Sequence, residues 1–108
     1  MIARLRDRAS VRVPALEPDG QGGRRAAGHR EVPIWVGMEP TGLSADPETG
    51  RARRRFRATV RYSPGLLRDI DRFAPLPLLW RGRTLLILSA DDPDLRGERL
   101  HLICEDSP

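Results

Sequence analysis

Hydrophobic and polar residues alternate most clearly in the last third of the chain, where turn residues separate three apolar runs. The runs are Leu76 to Trp80, Leu85 to Ala90 and Leu100 to Cys104. Gly82, between the first two, can adopt the left-handed backbone of a tight turn at little cost. Pro93, between the second and third, lacks a backbone donor and is tolerated between strands rather than inside one. The pattern therefore predicts two consecutive antiparallel hairpins.

Two shorter alternating segments precede these hairpins. Ala9 to Leu16 predicts a first strand, interrupted or ended by Pro14. Val32 to Met38 predicts a second strand, in which Pro33 favours an edge position or the beginning of the strand.

A third upstream strand follows a run of arginines at residues 51–57. From Arg55 onward, successive residues point to opposite sides of the predicted strand. One face carries Phe56, Ala58, Val60 and Tyr62, and the other carries Arg55, Arg57, Thr59 and Arg61. The alternation therefore predicts a core face and an arginine face.

One short helix is expected between this strand and the hairpins. Ser63 is a suitable N-cap, and Pro64 suits the first helical position. Apolar residues then recur at helical spacing, at Leu66, Leu67, Ile70 and Phe73, before Pro75 and Pro77 prevent continuation. The strand Leu85 to Ala90 is apolar on both faces, so either this helix or another subunit must cover its second face.

Two stretches are rich in turn-forming residues. Glu17 to Arg30 contains four glycines, one proline and no apolar side chain larger than alanine, which predicts an exposed, mobile loop. Thr41 to Gly50 has a similar composition and leads directly into the arginine run.

Length and composition favour one small β-domain covering residues 1–108. The 108 residues can hold one core, and 39% of them are apolar. Short strands with frequent turns predict a mainly β fold: an antiparallel β-barrel or sandwich of about six strands, with one short helix and long loops. No apolar run approaches the roughly 20 residues of a membrane span, and the N-terminus lacks the apolar segment of a secretory signal. We therefore expect cytosolic synthesis and no membrane partner.

Positive charge is concentrated in the first half of the chain. All nineteen basic residues are arginine, and the net charge is +4. Residues 1–57 carry twelve arginines against seven acids, a balance of +5, whereas residues 58–108 carry seven against eight, a balance of −1. Arginine suits both protein interfaces and phosphates.

Residue patterns that support catalysis or metal binding are weak. His101 and Cys104 are separated by three positions, which places them on opposite faces of a strand, so a buried thiol is the better interpretation of Cys104. The acidic cluster at residues 91–98 lacks the alternating oxygen ligands of a calcium loop. Gly20-Gln21-Gly22-Gly23 is not followed by the lysine of a phosphate loop. We assign no catalytic residue, no cofactor and no metal, and expect a protein that is not an enzyme.

The order of these motifs resembles the head-tail connector proteins of tailed bacteriophages and of phage-derived gene transfer agents. The residues that carry the resemblance are Trp80-Arg81-Gly82-Arg83, Ile87, Asp92-Pro93-Asp94, Leu100, Leu102, Cys104 and Glu105, with weaker matches at Leu5 to Arg8, Trp35 to Pro40 and Val60 to Tyr62.

The resemblance implies a structural neck protein of a virion or phage-like particle, synthesised in the bacterial cytoplasm. In its stopper or head-closure form, a ring of six or twelve copies joins the portal or adaptor protein to the tail and surrounds packaged double-stranded DNA. The loop between the second and third strands would face the channel, through Thr41, Gly42, Gly50, Arg51, Arg53 and Arg54. Contacts with subunits or partners would involve Arg55, Arg57, Arg61, Leu66, Ile70 and Phe73.

A different class of function remains open from the residues alone. A small β-barrel that binds nucleic acid directly would use the strand from Arg51 to Arg61 to neutralise phosphates. Against this, the aromatic residues Phe56 and Tyr62 lie on the predicted core face, where they could not stack on bases.

Overall fold

The computed structural model describes residues 5–18, 20–45 and 47–107. In chain order the elements are β1 (Asp7–Pro18), β2 (Arg24–Ala45), β3 (Ala52–Arg61), α1 (Pro64–Phe73), β4 (Leu76–Trp80), β5 (Arg83–Asp91) and β6 (Arg99–Asp106). All neighbouring strands are antiparallel, and they close into a barrel in the order β1-β2-β3-β6-β5-β4. The predicted fold class is confirmed, and of its two forms the structure is the barrel.

Strand alternation fills the barrel interior. On β3 the predicted core residues Phe56, Ala58 and Val60 are buried. The opposing strands contribute residues that are fully buried, among them Val11, Leu78, Leu85, Ile87, Leu100, Leu102 and Cys104. Because their burial removes apolar surface from water on every strand at once, this interior is the main stabilising element of the fold.

The two predicted C-terminal hairpins are present. β4 and β5 pair from Leu76 to Trp80 across a two-residue turn at Arg81 and Gly82, both with positive φ (48° and 72°). Two central residues with positive φ are typical of the type I′ turn, whose twist matches that of the flanking strands. β5 and β6 pair across the loop at residues 92–98.

Helix α1 begins as the sequence predicts. The Ser63 side chain accepts a hydrogen bond from the Leu66 backbone N–H at 3.2 Å, and Pro64 occupies the first turn. The helix packs mainly against β5 and also touches β1. On the outer face of β5, Leu86 and Leu88 are half-buried. Among the described residues α1 is the sole helix, and its ten residues are too few to cross a membrane.

The predicted loop at Glu17 to Arg30 and the predicted bounds of the second strand are wrong. β2 is 22 residues long, and Arg24 to Val36 pair with β1, so only residues 19–23 connect the two strands. The sequence hides this hairpin because residues 27–31 are exposed, and a strand without a buried face has no apolar alternation. Pro14 does interrupt β1, at a register shift before Leu16.

The turn within Thr41 to Gly50 is likewise shorter than the composition of this stretch suggests. β2 continues through Ala45, and β3 begins at Ala52, where the two residues pair. The register shifts between Pro40 and Gly42, so a bulge accommodates the proline and the glycine within the strand.

Antiparallel pairing gives the barrel two distinct ends. The β2–β3 hairpin tip at residues 42–54 and the β4–β5 turn lie at one end, which we call the arginine pole. The β1–β2 hairpin tip at residues 13–30, α1 and the β5–β6 loop lie at the other, which we call the helix pole.

One polar cluster ties the N-terminal strand to the β4–β5 turn. The Asp7 carboxylate accepts a hydrogen bond from Trp80 Nε1–H at 2.9 Å and forms an ion pair with Arg81 at 2.9 Å. The hydrogen bond from Trp80, followed by that from Arg81, lowers the pKa of Asp7 below its ordinary value of 3.8.

We expect Asp7→Asn to be less stable than the parent at neutral pH, because the lowered pKa means that the charged carboxylate favours the folded state. That contribution is present above the ordinary pKa of 3.8 and is lost as the pH falls through the lowered, folded-state value. Urea unfolding at neutral and strongly acidic pH would measure it, with Asp71→Asn, an exposed carboxylate, as the control. A stability difference that is equal at both pH values would contradict the assignment.

Candidate functional site

The arginine pole is built on a hairpin that extends past the wall of the barrel. Ala52, Arg53 and Arg54 pair with β2, whereas the pairing of β3 with β6 begins only at Arg55. Gly50, with φ of 69°, closes the turn in a left-handed conformation that favours glycine. The hairpin tip therefore presents its side chains to the surroundings, away from the core.

Carboxylates of the same chain pair with two arginines of the β3 outer face. Arg57 Nε lies 2.6 Å from Glu39 Oε1 on the neighbouring strand β2. Arg55 Nε lies 3.5 Å from Glu105 Oε1 on β6, and the same oxygen accepts a hydrogen bond from Ser44 Oγ at 2.8 Å. Strand register sets both pairs, since Arg57 lies opposite Glu39 and Arg55 opposite Glu105.

Two arginines near the hairpin tip have no such partner. Arg51 and Arg54 are exposed and form no ion pair with any residue that the structure describes. Arg53 is half-buried and helps to line an open cleft of about 320 Å³, together with Ser44, Ala45, Pro47, Arg55 and Glu105. Guanidinium groups in this setting can bind anions, and phosphate oxygens match their planar fork.

The other residues predicted for the channel-facing loop lie in regular structure. Thr41 and Gly42 belong to β2, where Gly42 follows the bulge with φ of 135°. Both are exposed. They therefore form the base of the hairpin, and Gly50 with the arginines forms its tip.

The residues predicted for partner contacts divide between the core and the surface. Leu66 and Ile70 are buried in the chain's own core, which leaves Phe73 and Arg61 as the surface candidates at the helix pole. Phe73 is half-buried and lines a second open cleft, of about 260 Å³, with Pro14, Ala15, Leu16, Arg30, Asp69 and Arg72. Arg30 and Asp69 form an ion pair of 3.0 Å that ties the β1–β2 hairpin to α1.

The His101 and Cys104 side chains lie on opposite faces of β6, as their spacing predicts. Cys104 is fully buried, and burial raises the pKa of its thiol to about 12. His101 is half-buried on the outer face, where burial and the charges of Arg57 and Arg99 lower its pKa. The described residues contain no cluster of three or more histidine, cysteine, aspartate or glutamate side chains suited to a metal ion.

Sequence reasoning did not identify Glu105, Ser44 or the exposed Leu95 as parts of these surfaces. Glu105 and Ser44 come from strands that are distant in sequence, so only the register brings them to Arg55. Leu95 lies in the β5–β6 loop, where it is 88% exposed with φ of 56°. A leucine that lies outside a periodic apolar run carries no sequence signal for high exposure or for a left-handed backbone.

The folded chain should be inert to thiol reagents. Because the pKa of the Cys104 thiol is about 12, almost none of it is thiolate at pH 8, and its burial also blocks access. Iodoacetamide labelling followed by mass spectrometry should show an unmodified protein in buffer and a single adduct after unfolding in guanidinium. Rapid labelling of the folded protein would contradict the buried position.

Comparison with known proteins identifies a matching family and a similar solved structure. The sequence model of a family described as "Phage head completion protein" matches residues 1–107. A chain in the structure of the virion of a native gene transfer agent particle has a similar fold, with a TM-score of 0.64 and 21% sequence identity, over 95% of this chain and 94% of that one. No curated protein matches the sequence at a significant level.

Proposed function

Because the chain belongs to the phage head completion protein family, we propose that it acts as a head-closure protein, or stopper, in the neck of a phage or gene transfer agent particle. Family membership confirms the resemblance found in the sequence and makes the chain a structural component of the head or neck of a phage-like particle. The proposed ring of six or twelve copies joins the portal or adaptor protein to the tail and surrounds the DNA channel.

The observation that carries the proposal is the chemical difference between the barrel wall and the hairpin tip. In the wall, Arg55 and Arg57 are neutralised by Glu105 and Glu39. At the tip, Arg51 and Arg54 are exposed and unpaired among the described residues. Unpaired arginines on a projecting hairpin suit contact with a polyanion that passes close to the protein, and packaged DNA is such a polyanion.

The closed barrel also suits a building block of a ring. Closure pairs the strands of the wall with one another, so a neighbouring copy meets mainly side chains there rather than open strand edges. Ring contacts are heterologous, since one surface of each copy meets a different surface of the next. The two poles then offer separate surfaces for the DNA channel and for protein partners.

The alternative of a free nucleic-acid-binding protein is less well supported by the side-chain geometry. Of the arginine face on β3, Arg55 and Arg57 already contact carboxylates of the chain. Phe56 is buried and packs edge-to-face with Trp80 at a centroid distance of 5.7 Å, so it is not available for base stacking. On this strand, Arg55 and Arg57 are therefore already neutralised within the chain, which weakens the case for direct phosphate binding by the β3 face.

Electron microscopy of purified particles, combined with mass spectrometry, tests the proposal directly. We expect a ring of this chain between portal and tail, with the β2–β3 hairpins directed toward the channel. Absence of the chain from particles, or a position in the capsid shell, would contradict the proposed role.

The contribution of the hairpin can be tested by removing two of its charges. We expect Arg51→Ala with Arg54→Ala to lower the amount of DNA retained per assembled particle, since both side chains would lose phosphate contacts. The matched control, Arg51→Lys with Arg54→Lys, keeps both positive charges at the hairpin and should retain most of the DNA. Quantitative PCR of nuclease-treated particles, normalised to capsid protein, gives the measurement.

The same variants separate the two functions. Strong binding of free duplex DNA by the parent protein, with a salt-dependence slope that falls by about two in the double alanine variant, would favour the nucleic-acid-binding alternative. Equal DNA retention by both variants would show that the hairpin arginines do not hold packaged DNA.

A further inference from the structure

The β5–β6 loop at the helix pole presents an exposed leucine on a constrained backbone. A single exposed leucine is ordinary on a protein surface. Leu95, however, is 88% exposed and adopts a left-handed conformation with φ of 56°, which is unfavourable for a side chain of its kind. A backbone outlier of this type suggests a role for the residue that it displays.

Hydrogen bonds hold this loop in place. The Asp92 backbone carbonyl accepts from the Leu95 N–H at 3.2 Å, and the Asp92 carboxylate accepts from the Gly97 N–H at 3.0 Å. Asp94 pairs with Arg99 at 3.2 Å, and the Tyr62 N–H donates to the Glu98 carbonyl at 3.1 Å. Leu95 is therefore displayed by an ordered loop, which lowers the entropy cost of binding through it.

The same pole carries a cleft of complementary character. Its apolar lining comes from Pro14, Ala15, Leu16 and Phe73, and its volume of about 260 Å³ is larger than a leucine side chain. Its charged residues are Arg30, Arg72 and Asp69, a net positive set. The loop from Asp91 to Glu98 carries four acids and one arginine, a net charge of −3. The two surfaces are thus opposite in net charge, and the cleft is large enough to accept a leucine side chain.

The loop and the cleft lie on opposite sides of the helix pole. In the strand order of the barrel, β3 and β4 separate the β5–β6 pair from the β1–β2 pair on either side. Helix α1 spans the distance, because its start lies beside the loop through Tyr62 and its last turns lie beside the cleft through Asp69 and Phe73. Leu95 does not line the cleft of its own copy, and with 88% of it exposed it fills no pocket there.

We propose that Leu95 of one copy inserts into the Phe73 cleft of the next copy, as the repeating contact of the ring. This contact rests on the proposed function, because it is the contact between neighbouring subunits of the proposed ring. A rotation-related neighbour brings together two surfaces at the same end of the barrel and on opposite sides of it, and such a contact is heterologous. Successive loop-to-cleft contacts then follow the circumference of the ring. This arrangement leaves the arginine pole free to face the channel.

Disulfide trapping tests the contact, and buried Cys104 leaves the parent chain without a competing thiol. A chain with both Ala15→Cys and Arg96→Cys, which keeps Leu95, should give a ladder of cross-linked oligomers in concentrated solution under a mild oxidant. A mixture of the two single variants should stop at dimers, because each chain then carries only one half of the contact. Each single variant alone should remain monomeric on a non-reducing gel.

The matched control places the second cysteine on the other pole. Leu43 is 69% exposed on the arginine-pole hairpin, so Ala15→Cys with Leu43→Cys should give no ladder. Absence of the ladder from the Ala15 and Arg96 cysteine pair would overturn the proposal. So would equal cross-linking by the Leu43 pair, or efficient dimers of Arg96→Cys alone, which would indicate random collision or a symmetric contact.

A second variant tests the leucine itself. Leu95→Asp, added to a chain with Ala15→Cys and Arg96→Cys, should lower cross-linking at least about tenfold, as expected for loss of an apolar anchor. Unchanged cross-linking would remove Leu95 from the contact. If microscopy shows the ring but the cross-link fails, this contact is wrong and the proposed function stands. If the cross-link forms but particles lack the chain, the proposed function fails and the contact stands.

Discussion

Closure of the sheet between its first and fourth strands is the constraint on which the rest of the structure depends. Within the described part of the chain, three residue pairs make this seam: Ala9 with Trp80, Ser10 with Leu79 and Val11 with Leu78. Without it, β1 and β4 would be open edges and the interior would be exposed on one side. The buried Val11 and Leu78 hold the seam from inside, and the Asp7 contact with Trp80 and Arg81 holds it at its end.

The length of β2 explains why one small barrel has two chemically different ends. Its first part pairs with β1 and its last part with β3, so each end of the strand continues into a hairpin beyond the wall. The hairpins leave at opposite poles, because the strand crosses the barrel only once. A compact core can thereby support two separate interaction surfaces, one rich in arginine and one formed by a helix, a cleft and a loop.

The register of the strands decides which arginines of this protein have a carboxylate partner. Arg55 and Arg57 contribute to the sequence's positive run as much as Arg51 and Arg54 do. In the folded chain, however, acids on neighbouring strands neutralise the first two, while the last two remain exposed. Of these four arginines, the two without a carboxylate partner among the described residues therefore lie toward the hairpin tip.

The sequence by itself determined the elements that have one buried face. The alternation of Phe56, Ala58 and Val60, the cap at Ser63 and the turn at Gly82 each reflect a local cause, namely burial on one side, an unpaired helix N–H or a positive φ. The order of motifs also pointed to the family. These signals are local, so they can be recognised without knowledge of the partners.

Only the tertiary structure decided the features that depend on pairing between distant residues. The β1–β2 hairpin has no buried face over residues 27–31 and thus no periodic signal, although backbone hydrogen bonds to β1 make it a strand. Register and closure decide three other features in the same way. They bury Leu66 and Ile70 in the chain's own core and bring acids to Arg55 and Arg57. They also place the Leu95 loop and the Phe73 cleft on different strand pairs. Sequence patterns record which face of an element is apolar, but the contacts of that face are set by how the sheet closes.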